Sequence, residues 1–352
     1  MMSVWSSLVG QDAAVAKLSE AAASARAIVA SRGSGRAADE ARSMSHAWLI
    51  TGPPGSGRSV AARAFAAALQ CTGETPGCGA CPGCRTTMGR TNADVLFAAT
   101  ETSIINVDTA RSLVLQAQSS PSQGLWRVIV VEDADRLGES GANALLKAIE
   151  EPPEHTVWLL CAPSPEDMIA TVRSRCRHLG LRIPTAAAVA DLLVREGVAS
   201  PEVALEAARA AQSHIGLARA LARDPQMRAR RRDIITAPAS VRSVGEAVMA
   251  ADRLLETAKA QADAQVSERN AREKAELMRQ LGMEEGESAT KASRTMIRQL
   301  EEDQKRRSKR ALTDAIDRAL IDLLAIYRDV LMVQVCGDGE LINTDLTDLV
   351  RQ

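Results

Sequence analysis

Aromatic residues are scarce in this chain of 352 residues, which contains one Tyr, two Phe and four Trp. Alanine and leucine are abundant instead, and this mixture favours helices over sheets rich in aromatic side chains. Few aromatic side chains also leave little material for stacking on unpaired bases. The composition therefore disfavours a module that binds single-stranded nucleic acid directly.

The chain also lacks a large net charge and long apolar runs. Its formal net charge is −1 at pH 7, so any DNA contact must be local or belong to a partner. No run of about 18 apolar residues occurs, and no basic region followed by an apolar stretch opens the chain. These absences predict a cytoplasmic protein without a membrane span, and the length predicts two or three domains.

Seven cysteines are present, and an odd number argues against a disulfide framework. The close group consists of Cys71, Cys78, Cys81 and Cys84. Zn²⁺ accepts four thiolates tetrahedrally, and C-x-x-C spacing lets a tight turn supply neighbouring ligands. We therefore predict a structural zinc module at 71–84 without an open coordination position. Unrelated free thiols or a redox pair are the alternative.

The hydrophobic pattern predicts an α/β domain followed by helices. Apolar runs predict strands at 47–50, 128–131 and 156–162, and apolar periodicity predicts helices at 11–30, 60–69, 107–117 and 141–150. Continuous apolar strands that alternate with helices indicate a parallel sheet. Residues 31–45, rich in Gly, Ser and charge, are expected to form a mobile surface loop.

After residue 184 the pattern is helical without a convincing strand, and we predict three domains: 1–184, 185–238 and 239–352. The third contains a charged helical segment at 256–310, which is interpreted as a solvated helix face, with a DNA-contacting patch as the alternative. An apolar face at helical spacing follows and predicts core or a subunit interface. Its members are Leu312, Ile316, Leu320, Leu323, Tyr327 and Leu331.

A phosphate-binding loop is predicted between the first strand and the helix that follows it. Its residues are Gly52, Pro53, Pro54, Gly55, Ser56, Gly57, Arg58 and Ser59, which fit G-x-x-x-x-G-K-[ST] except that Arg58 replaces the lysine. Glycines let backbone N–H groups turn toward phosphates, and the Ser59 hydroxyl is the expected Mg²⁺ ligand. Guanidinium is bulkier than ammonium, so Arg58 should impair hydrolysis more than nucleotide binding. A plain Gly/Pro turn is the alternative.

The strand at 128–131 runs into Glu132 and Asp133, where carboxylates for Mg²⁺ and for water are expected. Such sites usually have Asp before Glu, and the reversed order displaces both carboxylates by roughly 1 Å. Together with Arg58, this predicts a nucleotide pocket that can hold ATP or ADP but does not hydrolyse ATP.

Several stretches resemble the clamp-loader branch of the AAA+ ATPases, which contains the delta-prime and gamma/tau subunits of bacterial DNA polymerase III. They are residues 4–11 (VWSSLVGQ), residues 143–153 (NALLKAIEEPP) and residues 173–176 (RSRC), and they occur together with the phosphate loop and the cysteine module. The resemblance covers residues 1 to about 225, and beyond that it depends on helical character alone.

The resemblance implies roles for particular residues. Arg175 would act in trans as an arginine finger in a neighbouring subunit's ATP site, with a local ion pair as the alternative. Arg219 would lie in a sensor helix of the lid and face the chain's own pocket. Cys161 and Ala162 stand where the family has a polar sensor, which is a further departure from a hydrolytic site.

The resemblance also implies an assembly and a task. The chain would belong to a hetero-pentameric loader with gamma/tau and delta subunits, part of a nucleotidyltransferase holoenzyme, which places the sliding clamp on primer–template DNA. Residues 239–352 would form its helical collar. The departures at Arg58 and at Glu132 favour a delta-prime type without catalytic activity of its own. An active ATPase of the gamma/tau type remains open, and a non-replicative AAA+ motor is disfavoured by the cysteine module.

Overall fold

The structure is a computed structural model, and it describes residues 3–31, 43–98, 104–281, 291–336 and 340–351. The described residues separate into two compact units, one that ends at Ala222 and one that begins at Arg223. The predicted surface loop falls mostly outside the described residues, since 32–42 are not among them. The proposed division into three domains stays a prediction.

The first unit is built on a parallel sheet of five strands in the order β2-β3-β4-β1-β5. The strands are β1 (Ala47–Thr51), β2 (Val95–Ala98), β3 (Arg127–Val131), β4 (Thr156–Ala162) and β5 (Arg177–Gly180). All of the neighbouring pairs are parallel. The predicted parallel sheet is therefore confirmed, and β2 and β5 are strands that the hydrophobic pattern did not predict.

Helices connect the strands and cover the sheet. Those up to residue 222 are α1 (Asp12–Ala30), α2 (Arg58–Leu69), α3 (Pro82–Met88), α4 (Val107–Ala117), α5 (Glu139–Glu150), α6 (Ala170–Arg173), α7 (Ala186–Arg195), α8 (Pro201–Ala210) and most of α9 (Ile215–Arg223). The predicted helices at 11–30, 60–69, 107–117 and 141–150 are all present. Local signals set their ends: Asn106 caps α4 by accepting from the Thr109 amide, and Pro82 occupies the first turn of α3.

Two apolar cores lie on opposite faces of the sheet, because successive side chains of a strand point to opposite sides. Trp48 and Ile50 of β1 pack in one core with α2, where the Trp48 and Phe65 rings meet edge to face at 5.3 Å. Leu49 packs in the other core, with residues of α4 and α5. Both faces are covered, which explains why β1 and β4 are buried along their whole length.

The second unit is helical, as the sequence predicts. Its helices are α10 (Pro225–Ser240), α11 (Val244–Gln280), α12 (Lys291–Cys336) and α13 (Thr347–Arg351). Helices α11 and α12 form an antiparallel hairpin, since Lys274 pairs with Glu301 and Asn270 contacts Arg307. A seam of small residues joins them near the middle of both helices: Ala258, Ala262, Val266, Ala311 and Ala315.

The predicted apolar face of α12 is divided between burial and exposure. Leu312 and Ile316 pack against the hairpin seam. Leu320, Tyr327 and Leu331 are 48%, 54% and 59% exposed in the monomer, which is too open for core residues. None of the helices in the described ranges has the length and apolar character that crossing a bilayer requires.

Candidate functional site

The phosphate loop lies at the carboxyl end of β1, between that strand and α2. Gly55 and Gly57 adopt positive φ angles of 88° and 91°, which glycine tolerates best. The Gly52 amide donates to the Pro163 carbonyl at 3.1 Å, and this bond ties the start of the loop to the segment after β4. Since β1, β4 and β3 are neighbours, their carboxyl ends bring the loop, Cys161 and the acidic segment to one edge of the sheet.

Arg58 turns back onto the loop that precedes it. Its Nη1 donates to the Gly52 carbonyl at 2.6 Å. This contact commits part of the guanidinium to the backbone at the place where a phosphate-loop lysine would extend toward phosphates. The loop thus keeps the strand–loop–helix arrangement, and its cation has an internal partner.

Glu132, the first carboxylate after β3, also has a partner within the chain. Arg90 Nη2 lies 2.5 Å from Glu132 Oε1, and the Glu132 side chain is 13% exposed. The Arg90 guanidinium stacks over the Phe97 ring at 5.0 Å from its centroid. Sequence reasoning missed Arg90, because it is 42 residues from Glu132 and no local pattern connects them.

Asp133 and Asp135 follow Glu132 and interact electrostatically with each other and with nearby arginines. Burial raises the pKa of Asp135, and repulsion from Asp133 adds to the increase, while Arg136 and Arg58 oppose it. Burial also raises the pKa of the Cys161 thiol to about 12, and Glu132 contributes. The positive charge of Arg58 lowers the pKa of both groups and so acts electrostatically on this acidic edge of the sheet.

The turn between α8 and α9 packs on the phosphate loop. Gln212 and Ser213 in this turn have φ angles of 47° and 64°, which are unusual for residues other than glycine. A Cβ atom at Gly55 would lie 2.7 Å from the His214 Cα. Gly55 is therefore needed for close packing as well as for its backbone angle. No sequence signal identified the turn.

The structure places Arg175 and Arg219 in ion pairs of their own. Arg175 pairs with Glu150 and donates to the Thr171 carbonyl at 2.8 Å, and its side chain is 38% exposed. Arg219 makes a bidentate pair with Glu196, with N–O distances between 2.8 and 3.0 Å. Neither contact involves the phosphate loop.

The four cysteines of the predicted zinc module converge as the spacing predicts. The sulfur atoms of Cys71, Cys78, Cys81 and Cys84 all lie within 4.8 Å of one another, and those of Cys71 and Cys81 are 3.8 Å apart. A tetrahedral Zn²⁺ with Zn–S bonds of about 2.3 Å requires sulfur–sulfur edges of roughly 3.8 Å. The residues therefore fit a zinc ion.

Backbone amides and crowding set the ionisation of these thiols. Burial opposes ionisation of Cys81, but hydrogen bonds from Cys84 and Thr72 outweigh burial and lower its pKa to about 5. Burial raises the pKa of Cys84, and the neighbouring thiols raise it further. A bound dication would relieve that repulsion. Arg26 supports the module from outside by donating to the Cys71 carbonyl at 2.8 Å.

A parallel sheet with a phosphate loop after its first strand and acidic residues after a neighbouring strand defines an α/β fold of the P-loop type. Residues 36–185 match the protein family described as DNA polymerase III, delta subunit. This matched part of the chain, and the relatives given next, show similarity to the delta-prime and gamma/tau subunits of DNA polymerase III.

The similarity covers part of each relative. The DNA polymerase III subunit gamma/tau of Mycobacterium bovis is 35% identical over 162 residues, which are 44% of this chain and 28% of that protein. The subunit delta-prime of Escherichia coli is 34% identical over 191 residues, 53% of this chain and 57% of that protein. A solved gamma-subunit-related protein of Thermotoga maritima is 17% identical, with a TM-score of 0.40 over 78% of this chain and 95% of that one.

Proposed function

We propose that this chain is a delta-prime-type subunit of the clamp loader, which assists ATP-driven loading of the sliding clamp without hydrolysing ATP itself. The observation that carries the proposal is the internal pairing of its pocket, where Arg58 binds the Gly52 carbonyl and Arg90 binds Glu132. Phosphoryl transfer depends almost wholly on positioning and electrostatics. A pocket whose cation and carboxylate are already committed is poorly suited to it, although ATP or ADP can still bind.

In this proposal Arg175 acts on the ATP of a neighbouring subunit. Its present partner, Glu150, is 42% exposed. An ion pair with this degree of exposure contributes only about 0–1 kcal/mol to stability. Arg175 can therefore exchange Glu150 for a γ-phosphate of a partner at little cost. The alternative is that Arg175 only forms a local structural ion pair. The exposure of the Arg175 side chain agrees less well with that role.

We expect Arg175→Ala to lower the ATP turnover of a reconstituted loader by roughly 100-fold or more, because an arginine finger stabilises the charge of the transition state. Assembly, measured by size-exclusion chromatography with light scattering, should be unchanged. Arg173→Ala is the matched control, since Arg173 is an exposed arginine at the end of α6, two residues before Arg175.

Glu150→Gln separates the finger from a local structural role. It removes the ion pair of Arg175 and leaves the guanidinium in place, so partner turnover should remain at the wild-type level or rise. If Glu150→Gln and Arg175→Ala reduce turnover equally, the ion pair matters and the finger assignment is wrong.

An active ATPase of the gamma/tau type is the second candidate, and the 35% identity to a gamma/tau subunit favours it. A turnover assay on the purified full chain, with Arg58→Ala as the control for contaminating ATPases, distinguishes the two. The delta-prime proposal expects the same background rate for both proteins. A rate that depends on Arg58 would establish the gamma/tau reading instead.

We further propose that Cys71, Cys78, Cys81 and Cys84 hold a structural Zn²⁺, that residues 185–238 form a lid, and that residues 239–352 form the collar.

The proposed partners are gamma/tau and delta subunits, with the sliding clamp and primer–template DNA reached through the complex. This role implies a cytoplasmic location. The exposed apolar residues of α12 support the collar, since unpaired apolar faces of this kind are typical of subunit interfaces.

A further inference from the structure

Residues 3–11 connect the cysteine module to the phosphate loop, and we call this segment the N-terminal strap. It contains a short 3₁₀ helix, Val4–Ser7, and then runs toward α1. Val4 and Leu8 are only 4% and 6% exposed and pack in the same apolar core as Cys71 and Cys84. The strap is therefore part of the fold at both of its ends.

At the cysteine module, the strap is held by Gly77, the residue before Cys78. The Val4 amide and the Ser3 hydroxyl both donate to the Gly77 carbonyl, at 3.1 Å and 3.0 Å. Gly77 has a φ of 83°, and a Cβ atom there would lie 2.7 Å from the Trp5 Nε1 and 2.8 Å from a methyl carbon of Val4. The strap can therefore make these contacts only when the turn that carries Gly77 and Cys78 is folded.

At the phosphate loop, the strap is held by Gln11, which is only 4% exposed. Its Nε2 donates to the Ser56 carbonyl at 3.3 Å and to the Arg182 carbonyl at 2.5 Å, and its Oε1 accepts from the Arg182 amide at 3.2 Å. Gln11 thus fixes the phosphate loop to the segment after β5. A buried amide with these partners is costly to displace.

We propose that the N-terminal strap couples metal binding at the four cysteines to the position of the phosphate loop. A bound ion orders the turn around Gly77, the ordered turn docks Val4 and Trp5, and the docked strap holds Gln11 against Ser56. Loss of the ion releases the strap and loosens the loop. The inference rests on the proposed metal site, and it makes the metal a structural determinant of the loop as well as of the module.

Coupling between two sites is reciprocal. If metal binding favours the docked position of the phosphate loop, then loosening the loop must weaken metal binding. Gln11→Ala cuts the strap only at the loop end, far from the cysteines in sequence, and leaves all of the ligands intact. Gln118→Ala, at an exposed helix end, is the matched control.

The experiment uses the full chain and zinc alone, with affinity measured by competition against a chromophoric chelator. We expect Gln11→Ala to weaken zinc binding about five- to tenfold and Gln118→Ala to leave it unchanged. An affinity for Gln11→Ala within twofold of wild type would overturn the coupling. If wild type binds no zinc, the proposed metal site is itself wrong, so the two failures are distinct.

A second measurement follows the opposite direction of the coupling, by hydrogen exchange of peptides that contain residues 3–11 and Arg182. Gly77→Ala, which introduces the Cβ that meets Trp5, should speed exchange of both peptides about tenfold while zinc stays bound. Gly197→Ala has a similar φ of 67° with open space around it and is the control for backbone strain. Unchanged exchange at Arg182 in zinc-loaded Gly77→Ala would also overturn the proposal.

Discussion

The buried carboxylate of Asp94 holds the loop at residues 122–124 in place. It is fully buried and accepts hydrogen bonds from the amides of Ser122, Gln123 and Gly124 and from the Ser122 hydroxyl. Burial pushes the pKa of this carboxyl upward, but those hydrogen bonds outweigh burial and hold it below its usual value. Asp94 thus fixes the loop that leads into β3, the strand that delivers Glu132.

Replacement of Asp94 should therefore destabilise the first unit. We expect Asp94→Asn to lower the free energy of unfolding by about 2–3 kcal/mol at pH 7, the contribution of hydrogen bonds to a charged group. Because the folded pKa is depressed, this stabilisation is present above the unfolded pKa and is lost as the pH falls through the folded pKa. Urea unfolding of both proteins from pH 7 to pH 3 should show the difference shrinking at the acid end.

Asp108→Asn is the matched control, since the Asp108 side chain is 85% exposed. Its stability should follow that of the wild type over the whole pH range. A constant difference between Asp94→Asn and wild type down to pH 3 would contradict the charge argument and indicate a purely steric role.

Among the elements, the hairpin of α11 and α12 depends on small side chains near the middle of both helices. Ala262 is 2% exposed and packs with Ala258, Ala311 and Ala315. Small residues let two helices approach closely, whereas the part of the hairpin toward Gln280 is joined by ion pairs such as Arg307 with Glu273 at 2.8 Å. Partly exposed pairs contribute little, so the alanine seam should dominate the stability of the hairpin.

Enlargement of a seam residue should accordingly separate the helices. We expect Ala262→Leu to destabilise the second unit by about 1–3 kcal/mol through overpacking, measured as a lower midpoint of thermal unfolding by circular dichroism. Ala264→Leu lies on the exposed side of the same helix and should be nearly neutral. Equal effects of the two substitutions would argue against a tight seam.

At the scale of the whole molecule, the exposed apolar residues of α12 form a surface without a described cover. Leu320, Leu324, Tyr327, Leu331 and Val335 are between 48% and 78% exposed, and their spacing places them along one side of the helix. In the proposed loader this surface is buried against other subunits.

A charge on that surface should weaken assembly and leave the monomer folded. We expect Leu324→Lys to reduce the affinity for the partner subunits about tenfold or more, because an interface would then bury an unpaired cation. Met296→Lys, a 51% exposed position on the same helix nearer the tip, is the control. Unchanged assembly for Leu324→Lys, measured by analytical ultracentrifugation of the mixed subunits, would remove α12 from the collar interface.

Local pattern predicted the elements that carry strong hydrophobic signals. Strands β1, β3 and β4 are continuous apolar runs, and they occur where those runs lie. Strand β5 was missed because it reads Arg-His-Leu-Gly, with only Leu179 buried, and it becomes a strand through pairing with β1. The short β2 was missed for a similar reason, since its pairing with β3 decides its conformation.

The sequence by itself determined the alternation of strands β1, β3 and β4 with helices, the phosphate loop with Arg58 and the convergence of the four cysteines, because each depends on a local apolar run or on spacing over a few residues. Only the tertiary structure decided the partners of the site. Arg90 reaches Glu132, His214 packs on Gly55, and Gln11 spans from Ser56 to Arg182. Such contacts join residues far apart in the chain, and they depend on the path of the backbone, which local periodicity does not encode.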